Sequence, residues 1–300
     1  MSNVIPIATD PALIPGGLQD HKIRHLPDGS TIEFEFAPVG YLTKKGEPRR
    51  QDWRAYFHVP ADGKRERLVS VSSVLDAVCP KGGLARWSEA RGIEGCFEAF
   101  RLGELDTVLH TGEDAVLRVR MLKLGADRAR DAAADRGLDA HEALQVYMVT
   151  GQLPPRDLYQ PEVHGFYQAL ASWIVDKRPE PLEVEQLVAS PADGYAGRSD
   201  LVAAVGGRRV RYDAKTQALG QVYDAAHLQV QLYERAAVAI GDTPSDECRV
   251  VVFSADGKYR DMLCAATPET AEAAVGYYRA IKPVTSACES ANRETRKLAA

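Results

Sequence analysis

The sequence predicts an α/β protein in which a central mixed β-sheet is flanked by helices, with a small β/α extension on its N-terminal side. Three observations predict this. Residues 195–216 read as two strands joined at Gly206-Gly207, long Ala- and Leu-rich segments lie on both sides of them, and short alternating segments occur near the N-terminus. At 300 residues with 45% apolar content, the chain can bury one large core or two modest ones.

The first twenty residues hold three prolines and little periodicity, and read as an extended arm. Alternation at Thr31–Ala37 and again at Trp53–Val59 predicts a small antiparallel sheet, separated by the lysine- and arginine-bearing stretch 40–52. Residues 70–78 predict a short capped helix stopped near Pro80, and 84–91 another. Residues 113–136 are rich in Ala, Leu and Arg without proline, which predicts a long helix. Gly137 interrupts it, Asp139 can cap a following helix over 140–149, and a further helix is predicted over 161–175. Residues 182–190 predict a strand ending in the turn-like Pro-Ala-Asp-Gly at 191–194, and Asp224–Ala239 has the length and composition of a helix.

The pair Gly206-Gly207 suits the positive backbone angles of a two-residue hairpin turn, and this fixes a register. If Val205 faces Arg208, then Ala203 faces Val210, Leu201 faces Tyr212, and Asp200 faces Asp213. Facing carboxylates repel unless something neutralises them, and a divalent cation would do so. Side chains alternate along a strand, so Lys215 shares a face with Asp213. Phosphodiester cleavage requires stabilising the charge on the phosphoryl oxygens and producing a hydroxide-like nucleophile, and a carboxylate-bound Mg²⁺ or Mn²⁺ can serve both needs. A lysine ammonium beside that ion can orient water or offset developing charge. By itself Asp213-Ala-Lys215 is equally the pattern of a surface salt bridge, and His141 on an amphipathic helix is ordinarily structural or exposed. Gln229 and Tyr233, four apart, share one helix face.

In order, Gly137-Leu-Asp-Ala-His141, Gly197-Arg-Ser-Asp200, Asp213-Ala-Lys215 and Gln229-Val-Gln-Leu-Tyr233 resemble the motif series of the RecB-like PD-(D/E)XK nucleases, including phage and CRISPR-associated members. The resemblance spans roughly residues 113–283. It implies a restriction-endonuclease-like core over 113–283, an N-terminal extension over 1–112 that contacts DNA, and a tail over 284–300. It further implies Mg²⁺ or Mn²⁺ held by His141, Asp200, Asp213 and the carbonyl of Ala214, with Lys215 supporting the nucleophilic water. Glu185 would reach the ion through water. Gln229 and Tyr233 would touch the nucleic-acid backbone or brace the site, and Ser72 and Ser73, in a serine-rich segment like that of phage-type relatives, would contact substrate.

The implied activity is hydrolysis of DNA by an exonuclease acting on ends or single strands, in repair, recombination or phage DNA processing. Its alternatives are a structure-specific endonuclease and a non-catalytic nucleic-acid-binding subunit. Cys248, Cys264 and Cys288 are too widely spaced for the iron-sulfur cluster of some relatives, so none is expected. No GxxxxGK[ST] motif is present, and coupling to a helicase or recombination protein would need a separate chain. The formal charge of −5 excludes a uniformly basic surface, so DNA must meet local clusters. Candidates are Lys44, Lys45, Arg49 and Arg50, the arginines from Arg118 to Arg130, and Arg198 beside the site. No apolar run is long enough to span a membrane, and a cytoplasmic location is the default expectation.

Overall fold

The computed structural model describes residues 20–37, 53–79, 139–217, 219 and 222–298. The helices expected over 84–91 and 113–136 lie outside the described residues. Among the described residues, nine strands form one mixed sheet: β1 (Asp20–His25), β2 (Thr31–Ala37), β3 (Trp53–Val59), β4 (Glu66–Ser70), β5 (Glu180–Ser190), β6 (Tyr195–Val205), β7 (Arg208–Thr216), β8 (Glu247–Phe253) and β9 (Tyr259–Leu263). The helices are α1 (Val71–Val78), α2 over 139–150, α3 (His164–Lys177), α4 (Asp224–Ala239) and α5 (Pro268–Leu298).

Antiparallel pairing joins β1 through β4 in sequence order, β4 then runs parallel to β6, β7 parallel to β8, and β8 antiparallel to β9. This is the mixed sheet with flanking helices and an N-terminal β/α extension that the sequence predicts. No helix among the described residues is long and apolar enough to cross a membrane.

Opposite faces of the sheet carry different helices. Leu201, Ala203, Val210, Tyr212, Ala214, Val251 and Phe253 pack with Ala140, Ala143 and Leu144 of α2 and with Leu170 and Trp173 of α3. The alternate β8 residues Val250 and Val252 pack with Ala226 and Val230 of α4 instead. On β7 the same alternation turns Arg211 and Lys215 toward α4, where they meet Glu234 and Gln229. Asp213, between them in sequence, belongs to that α4 side.

Gly206 and Gly207 take φ of 58° and 80°, and Val205↔Arg208, Ala203↔Val210 and Leu201↔Tyr212 pair as expected. The pairing stops there, which corrects the expectation that Asp200 and Asp213 face each other in the ladder. Tyr195 pairs with Ser190 of β5 and also with Val69 of β4, so β4 takes the edge of β6 that β7 uses further along. The strands part at this point, and the Asp200 carboxylate accepts the Ala214 N–H at 2.8 Å. Two like charges thus avoid direct opposition while both stay at the fork.

Candidate metal centre

The fork between β4, β6 and β7 collects side chains from five elements. Nδ1 of His141, on α2, lies 4.0 Å from Asp200 Oδ2, too far for a hydrogen bond but within the span of a shared cation. Ligand atoms of His141, Glu185 and Asp200 all lie within 4.8 Å of one another. Asp213 stands beside this trio: its buried Oδ2 meets the Lys215 ammonium at 2.7 Å, and Oδ1 has no hydrogen-bond partner. Lys215 Nζ also donates to Gln229 Oε1 at 3.2 Å, and Gln229 Nε2 bonds the Tyr233 hydroxyl at 2.9 Å.

Glu185 reaches the trio by an unusual backbone. Its φ is 52°, in the left-handed region disfavoured for non-glycine residues. Val184↔Leu201 and Gln186↔Ser199 pair on either side of it, whereas Glu185 and Asp200, which that register would oppose, do not. The carboxylate pairs with Arg198 on β6. Strain of this kind persists only where surrounding structure enforces it, and it gathers at functional sites.

The charges are out of balance with their surroundings. Burial pushes the Asp213 carboxyl up to about 6, the Lys215 ammonium works against that rise, and the Asp200 charge adds to it. Burial likewise raises Glu185 against the pull of Arg198, with Asp200 adding to the rise. For Lys215, burial disfavours the charged form, but the Asp213 and Asp200 carboxylates outweigh it and hold the ammonium above its ordinary value. Desolvation and the same two carboxylates raise the Tyr233 phenol well above its usual range, so it is neutral and able to donate. An imidazole and hard carboxylate oxygens converging beside a buried, unpartnered Oδ1 form a donor set that could hold a divalent metal ion.

Gly197 explains how β6 and α4 come this close. A Cβ there would stand 2.4 Å from Tyr233 Cε1 and 3.1 Å from Val71 Cγ2, so only glycine fits between the strand and the two helices. Val71 opens α1, which places Ser72 and Ser73 on an exposed first turn near Gly197. Ser70 caps that turn by accepting the Ser73 N–H at 3.1 Å. Lys44, Lys45, Arg49 and Arg50 lie outside the described residues.

Other participants went unrecognised in the sequence. Arg211, fully buried, donates to Glu234, Gln186 and Ser199, binding α4, β5 and β6 behind the site. Glu234 in turn accepts from Ser245. The available signal was that Arg211 precedes Asp213 by two residues on one strand face, and Glu234 directly follows Tyr233. Phe34 of β2 carries the Arg198 guanidinium 5.3 Å over its ring, and Tyr56 of β3 is close enough to feel the charges of Arg198 and Glu185. No short-range pattern links either aromatic residue to the site.

No family model and no curated protein matches the chain. Among solved structures, an alkaline exonuclease from Laribacter hongkongensis is similar at 17% identity and a TM-score of 0.30, covering 54% of this chain and 86% of that one.

Proposed function

We propose that the chain is a metal-dependent nuclease of the RecB-like PD-(D/E)XK type that hydrolyses phosphodiester bonds in DNA, working from ends or on single strands. The observation that carries this reading is the convergence of His141, Glu185 and Asp200 beside the Asp213–Lys215–Gln229–Tyr233 chain. His141, Asp200, Asp213 and Glu185, with the Ala214 carbonyl, would hold the ion. When bound, Mg²⁺ or Mn²⁺ would stabilise the negative charge on the phosphoryl oxygens and acidify water.

The protein's own groups have distinct tasks. Lys215 is kept cationic by its carboxylate neighbours, so it serves as a hydrogen-bond donor to an attacking water or to developing negative charge, not as a base. Gln229 fixes the ammonium, and the Tyr233 hydroxyl fixes Gln229. Asp200 is oriented by the Ala214 N–H. Arg198 approaches a substrate phosphate, and Ser72, Ser73 and the basic residues Lys44, Lys45, Arg49 and Arg50 grip the strand in the N-terminal extension. Action in repair, recombination or phage DNA processing, beside a separate helicase or recombination protein, would follow from such a specificity.

The test is incubation with end-labelled single- and double-stranded DNA and RNA in Mg²⁺, Mn²⁺ or EDTA. Metal-dependent shortening of DNA from its ends, absent in EDTA and in Asp200→Asn, is expected. No cleavage in either metal, or cleavage undiminished by EDTA, would overturn the reading. Cutting of closed circular DNA would assign an endonuclease.

A further inference from the structure

The left-handed Glu185 carries one carboxylate that two cations can claim. Its partner here is Arg198, and its oxygen also lies within 4.8 Å of ligand atoms on both His141 and Asp200. Both side chains are partly exposed, at 33% for Arg198 and 17% for Glu185, so solvent and ligands can reach the pair. Arg198 sits two residues before Asp200 on β6, with its guanidinium over the Phe34 ring of the N-terminal sheet. A flat guanidinium held on an aromatic face at the rim of an anionic pocket is suited to a phosphate.

We infer that Glu185 exchanges partners: metal capture draws its carboxylate from Arg198 to the ion, and Arg198 turns to a phosphate of the bound strand. This rests on the metal-dependent nuclease reading above and adds to it a coupling between metal and DNA. Without the ion, Arg198 neutralises the Glu185 carboxylate that burial disfavours, and the protein holds DNA weakly. With the ion, the guanidinium exchanges a carboxylate for a phosphate, so each ligand strengthens the other by the same factor. The left-handed φ at Glu185 interrupts the β5–β6 pairing at this position, and the carboxylate stands between Arg198 and the ligand atoms of His141 and Asp200.

A double-mutant cycle on DNA affinity tests the exchange without reading turnover. Binding of a labelled single-stranded oligonucleotide is measured by anisotropy at constant ionic strength, in EDTA and in Ca²⁺, for wild type, Glu185→Gln, Arg198→Ala and the double variant. In EDTA, Glu185→Gln is expected to tighten binding about tenfold in the wild-type background and not at all alongside Arg198→Ala, a coupling within the usual allosteric range. Ca²⁺ should tighten wild-type binding about tenfold more than it tightens binding by Arg198→Ala.

Equal tightening by Glu185→Gln in both backgrounds would reduce the effect to net charge and overturn the exchange. Equal Ca²⁺ enhancement with and without Arg198 would do the same. Should Arg198→Ala fail to fold, Arg198→Gln takes its place in both comparisons. Calorimetric Ca²⁺ titration of the DNA-free wild type separates the two levels: absent binding sinks the metal-dependent reading itself, while binding with an additive cycle sinks only the exchange.

Discussion

Replacing Gly197 with alanine tests how β6, α1 and α4 share space at the site. The added Cβ would lie 2.4 Å from Tyr233 Cε1, roughly 1 Å inside ordinary contact. Tyr233 cannot swing away freely, because its ring is 6% exposed and packed among Val71, Leu232 and Val188. Forcing an extra methyl into such packing costs about 1–3 kcal/mol, and replacing a strand glycine returns roughly 0.5–1 kcal/mol. A net loss of about 1–2 kcal/mol is therefore expected, read as a lower urea midpoint at unchanged m-value. Cleavage should fall further, on the order of a hundredfold, because a ring moved by about 1 Å displaces Gln229 and through it Lys215. Pairing Gly197→Ala with Tyr233→Ala should erase most of the added stability penalty, since the clashing ring is gone. A Gly197→Ala protein as stable and as active as wild type would refute this close-packing argument.

Asp213→Asn should abolish cleavage with little change in circular dichroism, and its stability difference from metal-free wild type should depend on pH. The native carboxyl is raised to about 6 from an ordinary 3.8, so its stabilising contribution is present below about 4 and lost as pH rises through about 6. The variant should accordingly gain on wild type by roughly 3 kcal/mol across that window, and a flat difference in denaturant titrations would contradict the burial argument. Arg211→Met should destabilise by roughly 3–5 kcal/mol in urea, because it removes the cation opposite the Glu234 carboxylate, leaving it only the Ser245 hydrogen bonds, and takes a donor from Gln186 and Ser199; a shift under 1 kcal/mol would show that the network contributes little. Reversing the charges of Arg49 and Arg50 should weaken DNA binding in Ca²⁺ for all sequences alike and flatten the log–log salt slope by about one to two, measured by filter binding. Unchanged slope would leave that arm a solvated surface.

Sequence patterns reveal local features here better than tertiary ones. Gly206-Gly207 determines a two-residue turn, the turn determines register, and the register is correct from Val205↔Arg208 to Leu201↔Tyr212. It fails one step later, where β4, which lies about 130 residues upstream, takes up the edge of β6; local sequence patterns relate only neighbouring residues and cannot bring such a segment in. Strands β1, β4, β8 and β9 and helix α5 are not predicted by the sequence patterns. Arg249, Cys248 and Asp261 interrupt the apolar alternation of β8 and β9; Arg249 pairs with Asp261 across the two strands and with Glu247 on its own. The left-handed Glu185 is equally illegible: nothing in Leu-Glu-Val-Glu-Gln marks its fourth residue for positive φ, which occurs where the β5–β6 pairing skips Glu185 and Asp200. His141, Asp200, Asp213, Lys215, Gln229 and Tyr233 were legible because spacing along strands and helices determines which side chains can meet.

The most direct measurement is calorimetric titration of Mn²⁺ into the DNA-free protein and into His141→Ala and Asp200→Asn. If the fork between β4, β6 and β7 holds a divalent cation, wild type gives a saturable heat and each variant loses affinity by at least about tenfold, in line with the loss of one ligand. Wild-type protein that binds no Mn²⁺, or variants that bind it unchanged, would contradict a metal centre at this place.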